Sequence, residues 1–167
     1  MQSIFNSIPK EEYEGKALVV SGDGRYWNAH ATRVCLNIAL TNGVKEVYIG
    51  TDNLLSTPAV SALIRKLNEQ HGQGYCFGGI VLSASHNPAG PEEDFGIKFN
   101  GSNGGPSFES VTEEIFKQSK VISQYTVLEN GDLVDGIDLG VEQTTSLPAI
   151  EGAAAAPQVH VVSNTAN

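Results

Sequence analysis

The chain has 167 residues, with 10 Lys and Arg residues against 19 Asp and Glu residues, and its formal net charge is −9. This length suits one domain with its own core. Because affinity for nucleic acid depends on cations that neutralise phosphates, a chain this acidic is a poor nucleic-acid binder. No run approaches the roughly eighteen apolar residues of a membrane span. We therefore expect neither a nucleic-acid partner nor a membrane partner.

The cellular compartment is indicated by the first residues and by the two cysteines. Residues 1–10 contain no basic segment followed by an apolar stretch, so we expect no signal peptide. Cys35 and Cys76 lie in apolar surroundings, and neither has a His or Cys at metal-ligand spacing. We expect both to be reduced core thiols. These features favour a cytoplasmic protein.

Apolar periodicity predicts strands that alternate with helices. A short helix is expected before Pro9, and strands are expected at residues 17–21, 46–50, 79–82 and 95–100. Longer helices are expected at 28–42, 57–68 and 107–120, beginning at Asn28, at the Thr57-Pro58 pair and at Ser107. The strand–helix–strand–helix order predicts right-handed crossovers and a largely parallel sheet.

Two of these helices have an apolar face that should pack on the sheet. The expected inward-facing residues are Ala31, Val34, Cys35, Ile38 and Ala39 in the first long helix, and Val111, Ile115 and Phe116 in the third.

The C-terminal part carries weaker signals. Residues 121–141 are expected to form short extended pieces around an Asn130-Gly131 turn. Residues 143–158 are rich in Thr, Ser, Pro and Ala, a composition typical of a surface loop or linker. A last strand is predicted at residues 159–162.

A cluster of polar side chains directly follows the buried strand predicted at residues 79–82. Ser85, His86 and Asn87 stand there, and Pro88 restricts the backbone beside them. Ligands of open α/β sheets bind at the carboxyl ends of strands. The loop after this strand is therefore the candidate site.

The chemistry at this loop depends on one hydroxyl group. A serine hydroxyl is a weak nucleophile, which reacts beside a base or after it has been loaded with a group to pass on. His86 is adjacent, and phosphorylation of Ser85 would add about −1.5 to −2 charges that Lys98 could offset. By spacing alone, an ordinary Asn-Pro turn with a solvated lysine nearby explains the same residues.

The turn after the first strand offers a second set of polar residues. Gly22-Asp23-Gly24 is a lone Gly-x-Gly and lacks the rest of a dinucleotide fingerprint. Arg25 has two interpretations. It is either a surface charge paired with Asp23 or part of the shell around a bound phosphate.

The focal loop carries a resemblance to a known family. The run Ala84-Ser85-His86-Asn87-Pro88, followed by residues 94–100 and 104–106, resembles the phosphoserine loop of the phosphoglucomutases in the phosphohexomutase superfamily. Residues 18–28 resemble the first strand and turn of the same family, and the resemblance covers about residues 2–141. The chain departs from it at Ser83, where the family commonly has Thr, at Ala89, where it has Gly, and near Glu92-Glu93, where it has Asn-Gly.

The resemblance implies a fold and a domain division. The fold is a three-layer α/β/α domain with a mixed, mostly parallel four-stranded sheet, whose one antiparallel strand would bring Lys98 beside Ser85. Residues 1–142 would be the first, phosphoserine-bearing domain without its start, and residues 143–158 a loop or linker. Residues 159–167 would lead toward a second domain that this chain does not contain.

The resemblance also implies an activity, the interconversion of glucose 1-phosphate and glucose 6-phosphate through a bisphosphorylated sugar. Ser85, His86 and Lys98 would be catalytic, and Arg25 and Asn87 would bind substrate phosphate. Mg²⁺ would contact Ser85 through its phosphate, with its other ligands in an absent domain.

Two other functions stay open. A related mutase would act on mannose or glucosamine phosphates, since sugar choice resides in a domain that is absent here. A non-catalytic protein derived from a mutase would use the same fold to bind a partner. In the first interpretation the partners are a sugar phosphate and the remaining mutase domains, and the isolated chain is expected to be inactive.

Overall fold

The computed structural model describes residues 1–128, 132–151 and 155–164. The helices within these ranges are α1 (Gln2–Ser7), α2 (Asn28–Thr41), α3 (Thr57–His71), α4 (Glu109–Val121) and α5 (Asp132–Asp135). The strands are β1 (Ala17–Gly22), β2 (Glu46–Gly50), β3 (Cys76–Leu82), β4 (Ile97–Gly101), β5 (Gln143–Ser146) and β6 (Gln158–Val162). None of the helices in these ranges is long and apolar enough to cross a membrane.

The strands form one mixed sheet in the order β4-β3-β1-β2-β6-β5. The four inner strands are parallel to their neighbours, whereas β4 and β5 pair antiparallel at the two edges. The α/β class is thus confirmed. The expected count of four strands with one antiparallel member is wrong, because β5 and β6 extend the sheet beyond β2.

β5 lies in a segment that was expected to be a loop or linker. Its register places Thr145 opposite Val159 and Gln143 opposite Val161. Side chains along β5 alternate between half-buried and exposed, as they do in an edge strand with one covered face. Thr favours strands, but the polar composition of this segment hid the pattern.

Other local expectations also differ from the structure. The short helix α5 lies where extended pieces were expected, and the Asn130-Gly131 turn falls outside the described residues. Asn28 is the first residue of α2 instead of its cap, and its side-chain amide donates to the Asn53 carbonyl at 2.9 Å. Ser56, not Thr57, caps α3 by accepting from the Ala59 N–H.

The sheet separates two cores, because alternate residues of each inner strand face opposite sides. Leu18 and Val20 of β1 pack with α1, α2 and α5, whereas Ala17 and Val19 pack with α3. Burial of each such aliphatic side chain contributes about 1.5–3 kcal/mol. The three-layer arrangement that was expected from the sequence follows from this alternation.

The helix α4 is the least covered element. It has no buried residue over its whole described length, and Phe116, which was expected to face inward, is 61 % exposed. The helix begins after Phe108 with no side-chain cap, so Ser107 does not cap it. Val34 of α2 is likewise more exposed than the periodicity predicted.

Candidate active site

The loop after β3 starts and ends at the same place. The Ser83 N–H donates to the Gly96 carbonyl at 2.9 Å, directly beyond the last pair of the β3–β4 ladder, Leu82 and Ile97. A Cβ at position 96 would lie 2.4 Å from the Ser83 carbonyl oxygen, so only glycine allows this close approach. The intervening loop carries Ser85 and its neighbours out from the sheet edge, where the side chains at 85–89 are exposed.

Ser85 has an unusual backbone conformation. Its φ is +59°, in the left-handed region that non-glycine residues seldom adopt. Such conformations persist where the surrounding structure holds them, and they occur often at functional sites. The Ser85 hydroxyl is therefore carried by a backbone of defined conformation at an exposed loop tip.

His86 lies within hydrogen-bond distance of that hydroxyl. Ser85 Oγ and His86 Nδ1 are 3.2 Å apart. A neutral imidazole can accept the hydroxyl proton at Nδ1, and this is the arrangement of a nucleophile beside a base. The structure brings together the two residues that the sequence placed side by side.

Arg25 lies in the turn after β1 and donates hydrogen bonds to the loop after β3. Its Nη1 donates to the carbonyls of Asp94 and Pro88, and its Nη2 donates to the Ser85 carbonyl at 3.4 Å and to Asp23 Oδ2 at 2.9 Å. Nε donates to Asp23 as well, at 3.1 Å. Only 4 % of the Arg25 side chain is exposed, so the surface-charge interpretation does not describe it.

Asp23 is the carboxylate that anchors Arg25. Burial alone would raise the pKa of Asp23, but hydrogen bonds from the Arg25 and Ser83 side chains outweigh burial and hold that pKa below its usual 3.8. Asp23 also accepts from the Arg25 backbone N–H at 3.2 Å. The carboxylate is therefore ionised over the ordinary pH range.

Asn87 lies at the same tip but points to the loop's return segment. Its Nδ2 donates to Asp94 Oδ2 at 2.8 Å. The Asp94 carbonyl also accepts from Arg25, so the two contacts tie both ends of the loop together. An amide has two N–H bonds, and this one uses a single bond internally.

Lys98 lies on β4, which pairs antiparallel with β3 as expected. Lys98 is opposite Val81, while Ile97 and Phe99 face the other side of the sheet. The side chain is exposed and makes no hydrogen bond or ion pair with any described residue, Ser85 and His86 included. Lys98 instead lines an open groove of about 760 Å³ between β4, α3 and α4.

Three residues that shape this loop had no role predicted from the sequence. Ser83 accepts from the Ser85 N–H at 3.1 Å, and Trp27 Nε1 donates to the Pro91 carbonyl at 3.0 Å. Asp94 is the third residue, because its carboxylate accepts from Asn87 and its carbonyl accepts from Arg25. Their signal was weak, because a serine, an exposed tryptophan and an aspartate occur in many turns.

The comparisons with known proteins agree with this geometry. Residues 1–126 match the model of the phosphoglucomutase/phosphomannomutase α/β/α domain I. The chain belongs to this family. The phosphohexomutase resemblance of the loop and of the fold is thereby confirmed.

Relatives in the family give the same result. The chain is 49 % identical over 152 residues to "Phosphoglucomutase, cytoplasmic" of Bromus inermis, covering 91 % of this chain and 26 % of that protein. It is 47 % identical over 152 residues to "Phosphoglucomutase, cytoplasmic 1" of Zea mays, covering 91 % and 25 %. The chain spans about a quarter of the length of these relatives.

A solved structure supports the fold over nearly the whole chain. The open form of the exocytosis-sensitive phosphoprotein pp63/parafusin, a phosphoglucomutase from Paramecium, aligns with a TM-score of 0.85 and 37 % identity. The alignment covers 98 % of this chain and 28 % of that one.

The described residues offer few grouped ligands for a divalent cation. The described ranges hold no group of three or more His, Cys, Asp or Glu side chains arranged to bind a metal. Mg²⁺ prefers six oxygen ligands in octahedral geometry. The residues present do not make a metal site by themselves, although a phosphate on Ser85 could supply one ligand.

Proposed function

We propose that this chain is the phosphoserine-bearing part of a phosphoglucomutase, in which Ser85 carries the phosphoryl group. The observation that supports this most directly is the pairing of the exposed Ser85 hydroxyl with His86 at 3.2 Å, on a loop whose backbone Arg25 holds. The names of the plant relatives support glucose phosphates over mannose or glucosamine phosphates.

The transfer step conserves atoms and charge. The bond between phosphorus and Ser85 Oγ breaks, and a bond forms between phosphorus and a hydroxyl oxygen of the sugar phosphate. The sugar hydroxyl proton goes to a base, and Ser85 Oγ takes up a proton. In the second half-reaction the other phosphoryl group of the bisphosphorylated sugar moves to Ser85: its bond to the sugar oxygen breaks and a bond to Ser85 Oγ forms. The Ser85 hydroxyl proton goes to a base, and the released sugar oxygen takes up a proton. Glucose 1-phosphate and glucose 6-phosphate thereby interconvert.

The other site residues have assigned roles in this proposal. His86 positions the phosphate or assists proton movement at Ser85 Oγ. Lys98 is the candidate general acid or base, a role typically worth about 10²–10⁴ in rate. Asn87 has one N–H bond left for a phosphate oxygen. Arg25 contributes by holding the loop, as argued below.

The remaining needs of the reaction lie outside this chain. Mg²⁺ would neutralise charge on the transferred group, with ligands other than the Ser85 phosphate coming from a further domain. Sugar recognition is likewise assigned to the remaining mutase domains. The relatives named as cytoplasmic support a cytoplasmic location.

A phosphopeptide map tests the carrier role. Protein from the native source is digested, and phosphate is located by mass spectrometry in the peptide that contains Ser83 and Ser85. We expect phosphate on Ser85, and its absence from a Ser85→Ala variant expressed in the same cells. Phosphate on Ser83 alone, or on neither serine, would remove the assignment and favour a non-catalytic binding protein.

A further inference from the structure

We infer that Ser83 and Arg25 are positioning residues, which together hold the backbone of Ser85 in its left-handed conformation. The inference rests on the proposed carrier role of Ser85. It concerns residues that touch the carrier's backbone and not the transferred group.

The two polar backbone groups of Ser85 each have one of these residues as partner. The Ser85 N–H donates to Ser83 Oγ at 3.1 Å, and the Ser85 carbonyl accepts from Arg25 Nη2 at 3.4 Å. The left-handed conformation is unfavourable for a non-glycine residue. Hydrogen bonds to both polar backbone groups of Ser85 offset that cost.

Arg25 has no donor left for a substrate phosphate. A guanidinium has five N–H bonds. Nε donates to Asp23, Nη1 to Asp94 and Pro88, and Nη2 to Asp23 and Ser85. Because each nitrogen is engaged inside the loop and the side chain is buried, Arg25 acts on the reaction through the loop's shape. This differs from the role in phosphate binding that the sequence suggested.

Asp23 ties Arg25 to the sheet. β1 and β3 are parallel neighbours, so their carboxyl ends meet and bring the residues after Gly22 and Leu82 together. The Asp23 N–H donates to the Leu82 carbonyl at 3.1 Å, which fixes this approach. Asp23 then accepts from Arg25, and its lowered pKa reflects hydrogen bonds from Arg25 and Ser83 against the opposing effect of burial.

The hydroxyl group of Ser83 is the part of that side chain that matters. Ser83 as a residue is only 6 % exposed, and its hydroxyl oxygen accepts from the Ser85 N–H at 3.1 Å. Thr keeps this hydroxyl, whereas Val has the same shape as Thr without it. Ser83→Thr and Ser83→Val therefore form a matched pair that separates the hydrogen bond from the packing.

The decisive measurement is NMR of the Ser85 amide in the 167-residue chain. The order parameter of Ser85, its HN–Hα coupling and its amide exchange rate with water are compared among variants. We expect wild type and Ser83→Thr to share one fixed Ser85 conformation. Ser83→Val and Ser83→Ala should lower the Ser85 order parameter and speed its amide exchange by about fivefold to tenfold, the equivalent of one lost hydrogen bond.

Two controls keep the result specific. Ser110→Ala removes an exposed hydroxyl on α4 and should change no Ser85 signal. The amides of β1 and β3 report whether a variant has lost stability as a whole. If Ser83→Val and Ser83→Ala leave the Ser85 signals as in wild type while the sheet amides are unchanged, the positioning role is overturned.

A second measurement separates this inference from the proposed function. Wild type and the same variants are expressed in the native source, and phosphate on Ser85 of each protein is measured by mass spectrometry. Less phosphate on Ser85 of Ser83→Val than of Ser83→Thr extends the positioning role to the reaction. No phosphate on wild-type Ser85 overturns the carrier role alone, because the NMR comparison still decides how Ser85 is held.

Discussion

Arg25 and Ser85 are 60 positions apart in the sequence, yet a side-chain nitrogen of Arg25 donates to the Ser85 main-chain carbonyl at 3.4 Å. The contact links the turn after β1 to the loop after β3. The buried Arg25 guanidinium donates to carbonyls of the loop after β3 and to the Asp23 carboxylate. It therefore stabilises the conformation of that loop, whose side chains at 85–89 stay exposed.

Replacing Arg25 by Lys should destabilise the protein markedly. Lysine keeps the charge but loses the planar fork that reaches Asp23, Asp94 and Ser85 together. We expect the free energy of unfolding to fall by roughly 2–4 kcal/mol, since lysine cannot replace most of the hydrogen bonds of the buried guanidinium and leaves their acceptors unpaired. Urea denaturation followed by circular dichroism measures this change.

The matched control for that experiment is Arg65→Lys. Arg65 is exposed and donates to Ser61 one helical turn away, so its replacement should change stability by no more than about 0.5 kcal/mol. Equal effects of the two substitutions would contradict the positioning role of Arg25.

How much of the site could be predicted depended on sequence separation. Ser85 and His86 are adjacent, so their contact followed once the loop was located. Arg25 was noticed through its neighbour Asp23, but its contacts in the loop after β3 lie 60 to 69 positions away. No local pattern encodes such contacts.

The fold shows the same division. Inner strands were predictable because apolar, β-branched runs are buried on both faces. β5 was not, because one face of an edge strand meets solvent and its polar residues resemble those of a loop. The inward face of α4 was overestimated, because Ile115 packs against the core from one side while Phe116 does not.

Stability should depend on pH through Glu46. Burial alone would raise its pKa, but Tyr75, His160 and Lys45 outweigh burial and hold the pKa of Glu46 below its usual 4.5. Tyr75 donates at 2.6 Å and His160 lies at 3.1 Å. A lowered pKa in the folded state means that the unfolded chain binds more protons, so this contribution is complete above 4.5 and is lost as pH falls through the lowered pKa.

Glu46→Gln tests that expectation. The variant should be less stable than wild type by about 1–3 kcal/mol near neutral pH, because charge-assisted hydrogen bonds are replaced by neutral ones. The difference should shrink below about pH 4. Unfolding free energies measured from pH 7 to pH 3 check this, and a constant difference at every pH would exclude the carboxylate as its source.

Asn68 should be one of the most sensitive polar residues in the protein. It lies in α3, and its side chain accepts from the Cys76 N–H at 2.8 Å and donates to the carbonyls of Cys76 and Ser102 at 3.0 and 2.8 Å. It is only 3 % exposed. Asn68→Ala should reduce the free energy of unfolding by about 2–4 kcal/mol, since it leaves buried backbone groups unpaired.

The control for Asn68 is Asn103→Ala. Asn103 is exposed and accepts only from the Gly105 N–H two positions on. Its replacement should cost less than about 1 kcal/mol by thermal or urea unfolding. If both alanine variants unfold at the same urea concentration, the three contacts of Asn68 contribute little.

The isolated chain should not interconvert glucose phosphates at an appreciable rate. The described residues include the proposed carrier serine and the residues that hold its loop, but no grouped metal ligands and no hydrogen bond between Lys98 and Ser85. A coupled assay that converts glucose 6-phosphate to a reduced nicotinamide product measures turnover. A full-length phosphoglucomutase serves as the positive control, and turnover by the chain at a comparable rate would refute the expectation.

The two thiols should be unreactive while the chain is folded. Cys35 and Cys76 are free and buried, and burial raises the pKa of each thiol to about 11. Only the thiolate reacts readily with an aromatic disulfide reagent. At pH 8 the native chain should therefore release almost no chromophore, and both thiols should react at once in denaturant. Fast reaction in the folded state would show that at least one cysteine is reached by solvent, against the core role predicted from its apolar surroundings.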